Sequence, residues 1–179
     1  MHEQLLNLIA QDRHRMALLA AAKSLELKDW CIAAGFVRNL VWDYLHGYKV
    51  ATAINDVDVV YFDPDYQSAE WDRELEARLN DRVKCRWSVK NQARMHLRNH
   101  DREYRSTADA MSYWPEVETA IGVTLLANGE LALVAPFGTK ALFDLTVTLN
   151  PKRPKPAEFR RRIEQKGWLT QWPQLVVKD

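Results

Sequence analysis

Ala33-Ala34-Gly35-Phe36-Val37-Arg38-Asn39 reads as the end of a strand, a glycine turn and the start of a helix. Shortly after it, Asn55-Asp56-Val57-Asp58-Val59-Val60-Tyr61-Phe62-Asp63 reads as a strand that opens with two carboxylates. Alternate side chains of a strand share a face, so Asp56 and Asp58 project side by side. Two ionised carboxylates that close repel, and folding gains nothing from the pairing. A divalent cation resolves the conflict, and hard oxygen donors of this kind suit Mg²⁺. The glycine turn is a place where a phosphate can approach the backbone. Together they predict a metal-dependent site for nucleotidyl transfer.

Outward from this centre the pattern predicts alternating helices and strands. Residues 3–28 carry apolar residues at helical spacing, with a break near Asp12-Arg13. Trp30–Ala34 is a buried strand, and a helix from Val37 to His46 stops at Gly47. Val57–Phe62 is apolar on both faces, as a central strand is. A helix is predicted over 68–81. Val83–Lys90 alternates strictly, with Val83, Cys85, Trp87 and Val89 inward and Lys84, Arg86, Ser88 and Lys90 outward. Residues 121–127 and 131–134 form a hairpin at Asn128-Gly129; 139–145 reads as a short helix, with a strand over Asp144–Leu149 as the alternative. A proline-rich linker from Asn150 leads to a helix over Pro156–Lys166 that ends at Gly167. The predicted division is a catalytic domain over 1–150, with 151–179 as linker, helix and tail packed on it.

Composition narrows the function classes. The 179 residues are 47% hydrophobic and 27% charged, which is the balance of a folded globular chain. The formal net charge of +1 removes any whole-chain argument for nucleic acid or membrane binding. No apolar run approaches the length of a membrane span. Cys31 and Cys85 have no metal-type spacing and no export signal precedes them, so they read as buried free thiols of a cytoplasmic monomer. His96 and His100 are four apart but have no nearby acidic or cysteine partner, which speaks against zinc. Arg160-Arg161-Arg162 point three ways on a helix and form no single patch. Trp42, Trp114, Trp168 and Trp172 read as packing residues.

The order strand, glycine turn, helix, loop and Asp56-Val57-Asp58 resembles the nucleotidyltransferase superfamily that includes DNA polymerase β. It is similar to the variant in CCA-adding enzymes, where a glycine pair leads into a Val-Arg-Asp helix start. Residues 35–42, 56–64, Trp87–His96 and Ala135–Asp144 resemble a family of small bacterial nucleotidyltransferase-like proteins. The resemblance implies an α+β fold with a polymerase β-like core: a mixed sheet flanked by helices, with an added β-hairpin. It implies that Asp56 and Asp58 hold Mg²⁺, that Gly35 admits the triphosphate of an NTP, and that Arg38 contacts phosphates or a base. Asn39 stands where the CCA-type helix start has Asp, and joins the nucleotide-binding candidates. The turn here is Ala34-Gly35 rather than a glycine pair. The superfamily's third carboxylate has no counterpart on residues 83–90, which leaves Asp144 as the candidate and Asp63 as a poorer one.

The polar cluster Lys90, Asn91, Gln92, Arg94 and His96 closes the alternating strand. It reads either as exposed loop or as a cleft lining, with Lys90 or Arg94 on phosphate and Asn91 or Gln92 on a base edge. The expected activity is transfer of a nucleoside monophosphate from NTP to a hydroxyl on RNA, a protein or a small molecule. Two other functions fit the same residues: a silent nucleotide- or RNA-binding module, or an interaction protein that docks through Trp168, Trp172 and Pro173.

Overall fold

A computed structural model describes all 179 residues. In chain order the elements are α1 (His2–Gln11), α2 (Arg13–Lys23), β1 (Trp30–Ala33), α3 (Gly35–Leu45), β2 (Val57–Tyr61), α4 (Ala69–Arg82), β3 (Trp87–Asn91), a 3₁₀ turn (Gln92–Arg94), α5 (Met95–Asn99), α6 (Thr107–Met111), β4 (Gly122–Leu125), β5 (Leu131–Val134), α7 (Lys140–Phe143), β6 (Thr146–Thr148), α8 (Pro156–Lys166), α9 (Trp168–Gln171) and β7 (Val176–Lys178). No helix is long and apolar enough to cross a membrane.

Five strands form one mixed sheet in the order β3-β2-β1-β4-β5, and β6 and β7 pair separately in parallel. Only β2 and β3 run parallel in the main sheet. The expected α+β fold, a mixed sheet flanked by helices and extended by a hairpin, is what the chain adopts. The hairpin turns at Asn128-Gly129, where Gly129 has a φ of 86°.

The two sheet faces differ. Ile32, Val57, Val59, Tyr61, Trp87, Val89 and Val123 belong to the main core with residues of α1, α2, α3 and α4. The opposite face carries a small apolar cluster of Cys31, Ala33, Val60, Met111 and Ala120. Asp58 sits opposite Ala33 on β1 and Ser88 on β3 in the register, so it stands on this thinner second face. The close approach of β4 to β1 requires Gly122, because a Cβ there would lie 2.4 Å from the Cys31 sulfur.

Helix boundaries follow local chemistry. Asp12 separates α1 from α2 by accepting from the Arg15 N–H. The buried Arg15 also donates from Nε to the Phe36 carbonyl at 2.8 Å, which ties α2 to the first turn of α3. Ser68 caps α4, and Pro156 and Gly167 bound α8 as expected. The C-terminal segment is woven into the main core through Phe159, Ile163, Trp168, Trp172 and Leu175. That burial leaves little of the tryptophan-rich tail for docking on a partner.

Several expectations need correction. The alternating segment is strand only from Trp87. Val83 instead ends α4, donating its N–H to the Leu79 carbonyl, and Cys85 is half-buried rather than buried. The helix placed at Val37 starts two residues earlier, at Gly35. Trp114 is half-buried, while Trp42, Trp168 and Trp172 are in the core.

Candidate nucleotide site

The N-terminus of α3, the start of β2 and the C-terminal segment meet around one cleft of about 350 Å³. Ala34, Gly35, Arg38 and Asn39 form one wall, and Asp56 and Asp58 another. Arg162 and Lys166 of α8, with Trp168 and Gln171 of α9, complete it. Five of the sequence-predicted residues are therefore brought together: Gly35, Arg38, Asn39, Asp56 and Asp58.

The strand-to-helix turn has a specific strain. Ala34 is the N-cap of α3 with φ 59° and ψ −125°, a conformation that suits glycine. It makes no side-chain cap, so the first amides of α3 are left to the cleft. Those amides and the helix dipole favour an anion there. Gly35 itself has no positive φ; its role is space. A Cβ on Gly35 would meet Asn39 Nδ2 at 3.4 Å and an Arg38 terminal nitrogen at 3.6 Å.

Arg38 is buried without a carboxylate partner. It donates to the Thr119 hydroxyl at 2.6 Å and to Asn39 Oδ1 at 3.1 Å, and its Nε has no partner at all. Trp42 and Trp168 hold the guanidinium, its carbon 4.9 and 4.4 Å from their ring centroids. Burial pushes its pKa down to about 10, so it stays cationic at neutral pH. A buried cation with a free donor is suited to an anionic ligand.

The carboxylates are unlike each other. Asp56 is partly exposed and pairs with the exposed Arg86 at 3.1 Å, a weak surface contact. Asp58 has no ion pair. Burial raises its pKa most, with the Asp56 charge adding to this, while the Ser88 hydroxyl, Lys166 and Arg38 oppose it. Two carboxylates on one cleft, one half-buried without an ion pair and the other with only a surface partner, are a hard-oxygen donor set that fits Mg²⁺.

Other predicted residues lie elsewhere. Asp144 caps the end of α7, is exposed, pairs with Lys140 and does not line the cleft. No cluster of three acidic, histidine or cysteine side chains suited to a metal exists in the chain. Asp63 binds the backbone of Asp65 and faces Lys28. Asn91 is fully buried and ties the end of β3 to the β2–α4 connection, through Asp63 and the Tyr66 carbonyl. Arg94 pairs with buried Asp72, which also accepts from the Tyr61 hydroxyl at 2.8 Å. Asn91 and Arg94 thus brace the fold rather than line the cleft. Lys90 is held by Glu76 at 3.1 Å and borders a second cavity beside Asp58.

The residues not foreseen are Thr52, Thr119, Arg162, Lys166 and Gln171. The arginine run did not separate Arg162 from its neighbours. Arg162 points inward onto the buried Glu116, whereas Arg160 pairs with Asp179 at the surface. Trp168 was legible as a packing residue, but not as a wall of the site.

A nucleotidyltransferase family profile matches residues 20–177. The chain belongs to the nucleotidyltransferase family. A solved NMR structure described as revealing a CCA-adding enzyme head domain is 32% identical, with a TM-score of 0.86 over 99% of this chain and 95% of that chain. A CCA-adding enzyme in complex with CTP is 14% identical, with a TM-score of 0.58 over 99% of this chain and 43% of that one. A tRNA nucleotidyltransferase complexed with a primer tRNA and an incoming ATP analogue is 17% identical, with a TM-score of 0.53 over 90% and 46%. The chain spans under half the length of those two enzymes, and their likeness is one of fold. No curated protein matches it significantly.

Proposed function

We propose that this protein transfers a nucleoside monophosphate from an NTP to a hydroxyl acceptor with Mg²⁺. The observation that carries the reading is the Asp56–Asp58 pair facing the uncapped start of α3 and the unpaired Arg38 in one cleft. Asp56 and Asp58 would hold the metal, which when bound neutralises triphosphate charge and activates the acceptor hydroxyl. The amides of Gly35 and Phe36 receive phosphate oxygens. Arg38 and Lys166 supply positive charge, worth more in a half-buried cleft than in water. The hydroxyl oxygen forms a bond to the α-phosphorus, the α–β bridging bond breaks, pyrophosphate leaves with the electron pair, and the proton passes to water. The C-terminal segment is part of this catalytic unit, since it supplies Arg162, Lys166 and Trp168.

Calorimetry with Mg–ATP and Mg–CTP tests the site. Wild type should bind at least one of them, and Asp58→Ala should bind more than tenfold more weakly. Absent binding, or equal binding by the variant, defeats the reading.

A second reading, nucleotide binding without transfer, is favoured by the lack of any third carboxylate beside the pair. It expects NTP binding with no release of pyrophosphate over a pool of cellular acceptors. Transfer that is lost in Asp56→Ala rules it out.

A further inference from the structure

Asp58 lies between two cavities. The first is the cleft of α3 described above. The second, of about 390 Å³, opens along the same sheet face past Ser88 and Lys90. Both volumes fall within the range of small-ligand sites. The two share Ala34, Asp58, Thr119 and Arg162, so a ligand in each would meet at Asp58. One of the two proposed reactants fills the first cavity. The geometry leaves the second for the other.

The chemistry of the second cavity is cationic and aromatic. Arg98 at its rim is exposed and Lys155 half-buried, and neither makes an ion pair, whereas Lys90 is held by Glu76 and Arg162 by Glu116. Glu158 is the one acid of the lining besides Asp58. Tyr113 already carries Arg102 and Lys152 over its ring, at 5.3 and 4.3 Å from the centroid. Trp114 has no ring or cation partner and is half-buried against the small apolar cluster, which leaves ring surface to the cavity. Two free cations and an open aromatic surface suit a phosphate ester that bears a flat or apolar body.

We propose that this cavity is the acceptor site, and that it takes a hydroxyl compound carrying a phosphate group. Arg98 and Lys155 hold the phosphate, Trp114 lies along the body, and the hydroxyl reaches Asp58. The proposal rests on the reading of the first cleft as the NTP site.

The test separates the two sites. Wild-type protein is saturated with Mg²⁺ and a non-transferable α,β-methylene CTP, then titrated with ribose 5-phosphate and, separately, with a single-stranded RNA hexamer. Amide chemical shifts are followed by NMR. The expected result is saturable shifts in residues 92–99 and 113–115, with a dissociation constant at least tenfold weaker in Arg98→Gln/Lys155→Gln and unchanged binding of the CTP analogue. Shifts from ribose 5-phosphate alone assign a small phosphorylated acceptor. Shifts at the same residues from the hexamer, with affinity falling steeply as salt rises, assign an RNA end. No shift at these residues with either probe overturns the proposal, as does equal affinity in the double variant. If the CTP analogue fails to bind, the first cleft is at fault; the phosphate titration without it still reads the second cavity.

Discussion

The guanidinium carbon of Arg38 lies 4.4 Å from the ring centroid of Trp168, so a residue of the first turns of α3 is held by one from the far end of the chain. Trp168 is 3% exposed and belongs to the main core, yet it also lines the cleft. One side chain therefore couples stability to the placement of the buried cation. Trp168→Ala should lower unfolding free energy by about 3–5 kcal/mol. Trp168→Phe keeps much of the volume but weakens the contact with the cation, by about 0.5–2 kcal/mol. Denaturant unfolding should show a modest loss for the Phe variant, with Mg–NTP binding weakened roughly three- to tenfold by calorimetry. Full affinity in a folded Trp168→Phe protein would show that the ring plays no part in holding Arg38.

Ala34 offers a change of opposite sign. A non-glycine residue at φ 59° and ψ −125° costs on the order of 1–3 kcal/mol. Glycine relieves this but adds about 0.5–1 kcal/mol of unfolded-chain entropy. Ala34→Gly should gain about 1 kcal/mol, raising Tm by roughly 2–4 °C for a chain of this size. Ala34→Val should lose stability. A scanning calorimetry trace with an unchanged or lower Tm for the glycine variant would refute the strain at this turn.

The same turn shows what the sequence could and could not disclose. The apolar runs at Trp30–Ala34 and Val57–Phe62, with the glycine turn between them, were legible because strand burial and helix starts depend on neighbours in the chain. Gly35 marked the turn, but the strained conformation falls on Ala34, one residue earlier, and that depends on how α3 packs. Asp56 and Asp58 were legible from their spacing together with the glycine turn before them, although β2 starts at Val57 and leaves Asp56 just ahead of the strand rather than in it. Asp144 stands away from the cleft, beside the local Lys140, because α7 packs on α3 and β6, and no sequence pattern discloses that packing. Asn91 and Arg94 looked like cleft residues because they are polar at a strand end. Their partners, Asp63 and Asp72, lie far back in the chain and are visible only once β2, β3 and α4 are packed. Arg162 and Lys166 reach the cleft only because Trp168 and Trp172 anchor the tail in the core.

Arg94 gives a clean separation of fold from site. Removing one partner of a buried ion pair costs about 3–5 kcal/mol, because the other charge is left unpaired. Arg94→Met should therefore leave Asp72 buried with only the Tyr61 hydroxyl and the Asn91 amide, and lower the denaturation midpoint sharply. Mg–NTP affinity, measured at a temperature where the variant is folded, should stay within twofold of wild type. A large loss of affinity would return Arg94 to the nucleotide-binding residues.

Asp144→Asn should leave Mg–NTP affinity and any transfer rate unchanged, since the carboxylate faces Lys140 at the surface. The exposed i,i+4 pair contributes only about 0.3–0.5 kcal/mol, so stability should barely move. A rate loss of tenfold or more would place Asp144 in the site as a third acid.

Asp58 predicts a dependence on pH whose sign is definite. Its carboxyl holds a proton to higher pH in the folded chain than in the unfolded one, chiefly through burial. Between the two pKa values the folded state binds more protons, so stability falls as pH rises through that window. Below the ordinary carboxylate range both states are protonated and the penalty vanishes. Above the raised value it is present in full. Asp58→Asn removes it, so the variant should melt higher than wild type at pH 7, with the gain shrinking toward zero as pH falls to the ordinary carboxylate range and below. Glu118 is also raised by burial, which makes the difference between the two proteins the informative quantity. Magnesium should reverse the order at pH 7, because a ligand of the folded state raises Tm only where it binds. Wild type would then rise with added MgCl₂ and NTP while Asp58→Asn would not. A variant that melts below wild type at pH 7 without metal would mean that Asp58 is stabilised in the folded chain and not strained by it.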